Sequence, residues 1–365
     1  MTVEKILAAL STVQEPDLGK DLVTLNMVRD LEIHDKRVSF TIELTTPACP
    51  LKDRMHQECV HAIHEAVGEE VDVQIHFSAQ INTNRKDKQA VLPKVKNIIA
   101  VVSGKGGVGK STVAANFALS LAADGAKVGL MDADIYGPSV PIMFGVRGER
   151  PMMKTVDGKG MILPLEKYGI RLMSIGLLID EKNAVVWRGP MVSSAIRQFI
   201  SEVYWDELDY LVIDMPPGTG DIHLTLMQAV PVTGVIVVST PQDVALADAK
   251  KAIAMFAQAQ LKTPIIGLVE NMSYFAPDEL PEQRYYIFGK EGGRHLAEEY
   301  DIPFLGQIPL IQEIREGGDE GRPVVLGSNI AAKQAFHEFA GNAARSIAMI
   351  NADINTARRA EVVVG

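Results

Sequence analysis

A glycine-rich segment with two lysines carries the strongest chemical signal in the sequence. It reads SGKGGVGKST over residues 103–112 and fits the pattern G-x-x-x-x-G-K-[ST]. In such a loop the glycines let backbone N–H groups surround phosphate oxygens, and the following helix adds the positive end of its dipole. Lys110 can neutralise the β- and γ-phosphates, while the Ser111 hydroxyl can bind Mg²⁺. The segment predicts a nucleoside triphosphate site made of Gly104, Lys105, Gly106, Gly107, Val108, Gly109, Lys110, Ser111 and Thr112.

Carboxylates follow two apolar runs that are typical of strands. Asp132 and Asp134 follow one run, where a carboxylate can orient or deprotonate an attacking water. Asp214 ends another run and can hold Mg²⁺ through its water shell, and residues 216–221 (PPGTGD) then predict a mobile, switch-like loop. A single aspartate after a strand is also a common helix cap, so the pattern alone leaves that alternative open.

Two later residues are candidates for contact with a nucleotide base. Asn271 follows an apolar run and can hydrogen-bond the edge of adenine, and Pro309 follows the next run and can pack on the base. Ligands of open α/β sheets bind outside the carboxyl ends of the strands. Asn271 and Pro309 are therefore expected at the same edge of the sheet as the phosphate loop.

The apolar runs that must position these residues alternate with helical patterns. This alternation is typical of a parallel sheet covered by helices on both faces. We therefore predict an α/β fold, a mostly parallel, doubly wound P-loop sheet, in which the helix after the phosphate loop runs to about Asp124 and is closed by Gly125. The predicted strands are Ile98–Val102, Val128–Met131, Ile170–Ser174, Tyr210–Ile213, Val235–Val238, Ile265–Val269 and Phe304–Leu305.

Residues 1–82 predict a separate, small α+β domain ahead of this sheet. Residues 83–94 are polar and basic and indicate an exposed linker. Residues 95–350 then form the P-loop ATPase domain, and residues 351–365 a C-terminal tail without a strong pattern. The predicted elements of the first domain are a helix Val3–Val13, strands Val23–Ile33 and Val38–Leu44, a helix Pro50–Val67 and a strand Val71–Phe77.

The overall composition excludes several classes of protein. The 365 residues are 47% apolar and 22% charged, which excludes disorder, collagen and coiled coil as descriptions of the whole chain. A net charge of −10 argues against nucleic acid and anionic lipid as partners. The N-terminus does not resemble a signal peptide, and no apolar run reaches about 18 residues, so we expect a cytoplasmic protein that does not bind membranes.

Lys105 adds information because a phosphate cradle does not require a second lysine. With it, the loop resembles the deviant Walker A motif of MinD/ParA-like ATPases, where this lysine reaches the nucleotide of the facing subunit. The resemblance implies an ATP-sandwich homodimer in which Lys105 acts in trans, and it makes Asp134 the switch I residue. The alternative is a solvated charge at Lys105.

Several further motifs carry a wider resemblance. They resemble, in the same order, those of Mrp-type (ApbC-like) iron–sulfur cluster carrier ATPases, and the likeness covers nearly all of residues 95–345. Residues 1–82, with DLVTLNMVRDLEI and LTTPACPLKD, are similar to the small iron–sulfur-assembly domain often fused ahead of such ATPases. The ATPase motifs are GKGGVGKST, DADIYGPSVP, RGPMVSSAIRQF, DYLVIDMPPGTGD, TPQDVALADAKKAI, ENMSYF and IFGKEGGR.

One motif of that family is missing. Its members usually carry a C-x-x-C pair between the ENMSYF-like and IFG-like segments, where two subunits supply thiolates to a bridging cluster. Residues 274–284 (YFAPDELPEQR) contain no cysteine, and their carboxylates at Asp278, Glu279 and Glu282 are hard ligands that do not suit an iron–sulfur cluster. We therefore interpret this segment as solvated surface.

The chain has two cysteines, Cys49 and Cys59. The proline after Cys49 suits the first position of a helix, which places Cys49 at or next to the N-cap. There the helix dipole favours the thiolate that ligates iron, although an inert cysteine in a tight turn is an equal alternative. Cys59 shares an i, i+4 stripe with Met55 and Ile63, so we expect it in a core. His61 and His64 lack a further ligand at a recognisable spacing, so a metal site there is disfavoured.

The resemblance implies an ATP- and Mg²⁺-dependent carrier of iron–sulfur clusters that works with apoprotein clients and assembly factors, and Cys49 is the candidate cluster ligand. Two alternatives remain open. One is a cluster-free adaptor switched by ATP, which the missing C-x-x-C favours. The other is a positioning ATPase of the MinD/ParA kind, against which the negative charge and the fused N-terminal domain argue. A metabolic kinase is disfavoured because no acceptor-site signature is present.

Overall fold

The computed structural model of the chain describes residues 1–16, 19–81, 83, 91–156, 158–178, 189–258, 261, 263–277, 280 and 282–362. Its contacts divide the chain into two units, Met1–Asn82 with Ala348–Gly365, and Thr83–Ile347. Most of the predicted linker, residues 84–90, lies outside the described residues.

The helices and strands have the following bounds. The helices are α1 (Val3–Leu10), α2 (Lys52–Val67), α3 (Lys110–Ala123), α4 (Val140–Met143), α5 (Gly189–Glu202), α6 (Asp221–Ala229), α7 (Asp243–Ala257), α8 (Gly292–Glu299), α9 (Gln312–Asp319) and α10 (Ile330–Val362), with 3₁₀ turns at Ile175–Leu177 and Val324–Leu326. The strands are β1 (Gln14–Glu15), β2 (Lys20–Asp21), β3 (Val28–His34), β4 (Arg37–Leu44), β5 (Asp72–Ala79), β6 (Val95–Val102), β7 (Val128–Asp132), β8 (Met153–Val156), β9 (Lys159–Ile162), β10 (Leu165–Lys167), β11 (Ile170–Ser174), β12 (Leu208–Asp214), β13 (Gly234–Ser239), β14 (Ile265–Glu270) and β15 (Phe304–Gln307).

The first unit is built on β4. This strand pairs antiparallel with β3 and parallel with β5, and its residues alternate between buried and partly exposed positions. Alternation with period 2 turns one face of the sheet towards a core, and this core also receives residues of α1 and α2. Its members include Ile6, Leu10, Val38, Phe40, Ile42, Leu44, Met55, Cys59 and Ile63. The predicted core position of Cys59 is confirmed.

The second unit is built on a larger sheet. In the described part of the chain this sheet has eight strands, in the order β10-β11-β7-β12-β6-β13-β14-β15. The edge strand β10 pairs antiparallel with β11, and the other neighbours pair parallel. In the central strand β6 every residue except Lys96 is buried. Burial on both faces is expected where helices cover both sides of a parallel sheet, and the predicted fold class is confirmed.

The register of three neighbouring strands brings candidate residues together. Asp214 at the end of β12 lies opposite Val101 of β6 on one side and opposite Asp132 at the end of β7 on the other. Because the three strands are parallel, their carboxyl ends meet at one edge of the sheet. The segment that follows β6, residues 103–109, therefore begins beside both aspartates.

The predicted strands of the second unit are confirmed, whereas several boundaries in the first unit are wrong, among them the start of α2, which lies at Lys52 rather than Pro50. The helix α1 ends at Leu10 rather than Val13, and the strand predicted from Val23 begins at Val28. The Thr24 N–H donates to Asp21 Oδ1 at 2.7 Å, and Asn26 has φ +57°, so a turn occupies the residues before Val28. The sequence also did not predict the β8–β9 hairpin or the antiparallel edge strand β10.

No helix within the described residues combines the length and apolar character that crossing a bilayer would require.

Candidate functional site

The phosphate loop joins the central strand β6 to α3. Gly109 is the N-cap of α3 and has φ +81°, a left-handed conformation that suits glycine. No side-chain cap hydrogen bond is made to the first turn. The initial N–H groups of a helix lack intrahelical partners and favour an anion. The strand, loop and helix thus have the order that a phosphate-binding loop requires.

Two contacts hold the shape of the loop. The Ser103 hydroxyl donates to the Lys105 carbonyl at 2.9 Å, and the Gly218 N–H donates to the Ser103 carbonyl at 2.9 Å. Gly104 is required for a different reason, since a Cβ there would lie 2.1 Å from the carbonyl oxygen of Asp248 in α7. The loop is therefore packed directly on the backbone of α7.

Lys110 and Asp214 form a buried ion pair at the centre of the site. Lys110 Nζ donates to Asp214 Oδ1 at 2.5 Å, and the lysine and the aspartate are 6% and 0% exposed. The same ammonium lies 3.3 Å from Ser111 Oγ. Three of the predicted site residues are therefore in direct contact.

The donor set at Asp214 suits a divalent cation. Its Oδ2 is buried and has no hydrogen-bond partner among the described residues. Burial raises the pKa of the Asp214 carboxyl, and the contacts with Lys110 and the Ser111 hydroxyl counteract this. Magnesium takes oxygen ligands and is usually held by one or two carboxylates together with substrate phosphates. An unpaired carboxylate oxygen beside a hydroxyl fits that requirement.

Asp132 fixes the segment that contains Asp134. Its Oδ1 accepts the Asp134 N–H at 3.1 Å, and its Oδ2 accepts the Val140 N–H at 3.2 Å and the Ser174 hydroxyl at 2.9 Å. Burial and the nearby Asp214 carboxylate raise the pKa of Asp132 to about 8, and the hydrogen bonds counteract this. Asp132 therefore binds both ends of residues 134–140. The sequence placed Asp132 and Asp134 together and did not predict this separate positioning role for Asp132.

Asp134 faces a cleft formed by the phosphate loop. This cleft has a volume of about 240 Å³ and is lined by both loop lysines, Ser111, Asp134 and Pro217, among others. The Asp134 carboxylate accepts the Gly137 N–H at 3.3 Å. Lys105 is exposed, unlike Lys110, which is buried. Lys105 is therefore accessible to solvent, whereas Lys110 is largely shielded from it.

A second cavity of about 320 Å³ adjoins the first one and contains both predicted base contacts, Asn271 and Pro309. Gly109 and Thr112 line both cavities. The Asn271 amide Nδ2 donates to the Val108 carbonyl at 2.8 Å, so the side chain is tied to the phosphate loop. The side-chain Oδ1 of Asn271 is then the atom suited to accept a hydrogen bond from a base. The opposite wall comes from α4 and α9, whose contribution the sequence did not reveal.

Glu270 is a further residue that the sequence did not single out. This buried carboxylate accepts the Gly293 N–H at the start of α8 at 2.6 Å and the Gln307 amide at 2.9 Å. It also accepts the hydroxyl of Ser273. Glu270 thereby links the start of the segment after β14, next to Asn271, to the first turn of α8. The only sequence signal was an acidic residue at the end of an apolar strand.

The segment between β14 and α8 is the one in which the C-x-x-C pair is missing. Of the three acidic residues at positions 274–284, Asp278 and Glu279 lie outside the described residues and Glu282 is exposed. Phe275 and Tyr285 pair through two backbone hydrogen bonds of 2.9 and 2.8 Å. The Arg284 guanidinium stacks 4.2 Å from the ring centroid of Tyr274. Backbone pairing and aromatic contacts therefore order the described part of this segment.

The two cysteines differ in environment. Burial raises the pKa of Cys59 to about 12, so its thiol stays protonated at neutral pH. Cys49 is half-buried, but it is not at the N-cap, because α2 begins at Lys52 with Leu51 as its N-cap. Pro50 and Leu51 separate it from the first helical residue, and on its other side the Thr46 hydroxyl accepts the Ala48 N–H at 3.3 Å. The helix dipole therefore acts on Cys49 less directly than the sequence predicted.

The histidines near Cys59 have other contacts. His61 lies 3.3 Å from Glu65, and His64 Nε2 lies 3.0 Å from the Val71 carbonyl. No group of three or more histidine, cysteine, aspartate or glutamate side chains in the described chain could hold a metal ion.

Comparisons with known proteins agree with this geometry. Residues 94–344 match the family described as NUBPL iron-transfer P-loop NTPase, and residues 3–77 match the family described as iron-sulfur cluster assembly protein. An iron-sulfur cluster carrier protein of Synechocystis sp. is 46% identical over 351 residues, covering 96% of this chain and 99% of that one. The iron-sulfur cluster carrier protein of Escherichia coli is 44% identical over 324 residues, covering 88% and 85%.

A solved structure is also similar. It is a nucleotide-binding protein from Archaeoglobus fulgidus in complex with ADP, 40% identical, with a TM-score of 0.56. The match covers 66% of this chain and 93% of that one.

Proposed function

The chain belongs to the NUBPL iron-transfer P-loop NTPase family, and from this we propose that it hydrolyses ATP and carries iron–sulfur clusters to apoproteins. The observation that carries the nucleotide part is the buried Lys110–Asp214 contact of 2.5 Å at the base of the phosphate loop. The carrier part is supported by relatives named iron-sulfur cluster carrier protein, which match this chain over most of its length.

The phosphate loop residues have distinct roles in this proposal. Backbone N–H groups from Gly104 to Thr112 surround the phosphates, and Lys110 moves from Asp214 towards the β- and γ-phosphates when ATP binds. Ser111 and Asp214 would hold Mg²⁺, which would neutralise charge on the phosphate oxygens. Asn271 Oδ1 accepts from the adenine amino group, and Pro309 packs on the ring.

Asp134 orients the water that attacks the γ-phosphorus. The bond from that phosphorus to the β,γ-bridging oxygen breaks, giving ADP and inorganic phosphate. Lys105 is exposed and lines the cleft, which suits a lysine that also reaches the nucleotide of a second copy in a homodimer. Closure of the dimer would exclude bulk water from the reacting phosphate.

Cys49 is the cluster ligand that the chain can offer most readily. Iron–sulfur clusters are held by thiolates, and the pKa of about 12 at the buried Cys59 opposes thiolate formation there. A cluster would therefore be shared between Cys49 of two chains, or between the carrier and ligands of its client.

Anaerobic reconstitution with iron and sulfide tests the carrier role. We expect wild type and Cys59→Ala to bind iron and sulfide, and Cys49→Ser to lose at least half of both. Equal binding by Cys49→Ser would remove Cys49 from the site.

The cluster-free adaptor is a second candidate, favoured by the presence of only two cysteines in the chain and by the burial of one of them. It predicts that wild type binds no iron or sulfide while still hydrolysing ATP. Reconstitution and phosphate release measured on the same preparation therefore distinguish the two candidates.

A further inference from the structure

The loop between β12 and α6 forms one wall of the phosphate cleft. Pro217 lines that cleft but not the neighbouring cavity that contains Asn271 and Pro309. It therefore lies at the end away from the base, where a terminal phosphate would sit. The Gly218 N–H anchors the outer part of this loop to the Ser103 carbonyl at 2.9 Å.

His223 supports the same loop from inside the protein. It lies in the first turn of α6 and is 2% exposed. Its ring Nε2 is 2.9 Å from the carbonyl oxygen of Pro216. A carbonyl can only accept a hydrogen bond, so the contact requires the proton on Nε2.

The other ring nitrogen defines the charge state of His223. Its Nδ1 is buried and has no hydrogen-bond partner among the described residues. Protonation would place a positive charge in this buried environment, which is costly. Burial lowers the pKa of His223 below its usual value, in agreement with a neutral ring.

The loop needs this support because of its own sequence. Pro216 and Pro217 have no backbone N–H, so neither can anchor the loop by donating a hydrogen bond. The Pro216 carbonyl faces a buried environment, where an unpaired acceptor is costly. The His223 ring satisfies this acceptor and thereby fixes the position of the following residue, Pro217.

We propose that His223 is a positioning residue for ATP hydrolysis, whose neutral ring holds the Pro216–Gly218 wall against the terminal phosphate. This inference rests on the proposed ATPase activity. His223 does not touch the nucleotide and acts through the Pro216 carbonyl. Its loss should slow the chemical step more than it weakens nucleotide binding, because the phosphate loop and Lys110 are unchanged.

The test compares His223→Gln and His223→Leu in the full-length protein. Glutamine keeps an N–H donor near the position of Nε2, and leucine has a similar size without a donor. We expect His223→Leu to lower kcat for Mg-ATP about tenfold, with a less than threefold change in the Kd of a non-hydrolysable ATP analogue. His223→Gln should recover kcat to within about threefold of wild type. His295→Leu, at an exposed histidine of α8, is the matched control and should leave kcat unchanged.

Three outcomes would overturn the inference: unchanged kcat in His223→Leu, equal loss in His223→Gln and His223→Leu, or a parallel loss of kcat and nucleotide affinity. If His223→Leu does not fold, His223→Asn replaces it, because the shorter amide cannot reach the Pro216 carbonyl. The kcat of His223→Gln should then exceed that of His223→Asn. Absence of turnover by wild type would overturn the proposed ATPase activity and this inference together. Wild-type turnover with an unaffected His223→Leu would overturn the inference alone.

Discussion

The ion pair between Lys110 and Asp214 removes two charges from water at the base of the phosphate loop. Such a pair is weak evidence for stability, because desolvation offsets much of the attraction. In the proposed ATPase the pair would have a chemical use, since it keeps a lysine and a carboxylate beside Ser111, where a nucleotide and its cation would bind. The sequence predicted all three residues as ligands, but it did not predict that two of them bind each other.

Substituting one residue of the Lys110–Asp214 pair should show how strongly burial of the remaining residue destabilises the protein. We expect Asp214→Asn to lower the free energy of unfolding by roughly 3–5 kcal/mol, because Lys110 is left buried without its directly paired carboxylate. Urea denaturation measures this. Glu299→Gln is the control, since its exposed pair with Lys250 should contribute less than about 1 kcal/mol. Equal effects of the two substitutions would contradict the buried character of the first pair.

The two thiols should react very differently. Because burial raises the pKa of Cys59 to about 12, its thiol stays protonated at pH 8 and is shielded from reagent. We expect the folded protein to react with a disulfide reagent at one thiol per chain, Cys49, and the unfolded chain to react at both. Folded Cys49→Ser should show no fast reaction. Fast reaction of that folded variant would contradict the core position of Cys59.

At the scale of elements, the site depends on how closely the phosphate loop packs on α7. Gly104 allows this approach because it has no Cβ. The sequence identified this glycine as part of a phosphate-binding pattern, but its second role depends on a helix far along the chain. Contacts of this kind cannot be inferred from local spacing.

Gly104→Ala should therefore destabilise the protein as well as weaken nucleotide binding. The added Cβ would meet the Asp248 carbonyl oxygen at 2.1 Å, so the loop or α7 must move. Overpacking of this kind typically costs about 1–3 kcal/mol. Gly160→Ala in β9 is the control, since its Cβ would make an ordinary contact of 3.5 Å. If thermal melting and nucleotide affinity were unchanged in Gly104→Ala, the packing described for the loop would be wrong.

The elements that the sequence predicted best are those with strong apolar patterns. Strands such as β6 and β12 are buried on both faces and appear in the sequence as continuous apolar runs. The β8–β9 hairpin was missed because its residues are mostly exposed and lack such a pattern.

Residues that act through contacts were harder to identify than residues that belong to a motif. His223 has the spacing of an ordinary helical residue, and its role becomes visible only when the Pro216 carbonyl is placed beside it. Glu270 is similar, since its partners at Gly293 and Gln307 are distant in sequence. The α9 wall of the second cavity depends on tertiary packing in the same way.

At the scale of the whole molecule, the family relationship covers both predicted parts of the chain. The P-loop match spans residues 94–344, and the iron-sulfur cluster assembly match spans residues 3–77. The missing C-x-x-C pair and the burial of Cys59 leave Cys49 as the thiol most available to a cluster. A carrier of this composition would depend on a second chain or on its client for the remaining ligands.

ATP hydrolysis by the intact chain tests the central claim most directly, since the proposed carrier and the role of His223 both depend on it. The measurement is phosphate release from Mg-ATP by wild type, Lys110→Ala and Lys127→Ala, the last at an exposed lysine paired with Glu207. We expect turnover by wild type, a loss of about 100-fold or more in Lys110→Ala, and a change of less than about twofold in Lys127→Ala. Turnover by Lys110→Ala equal to that of wild type would contradict the account.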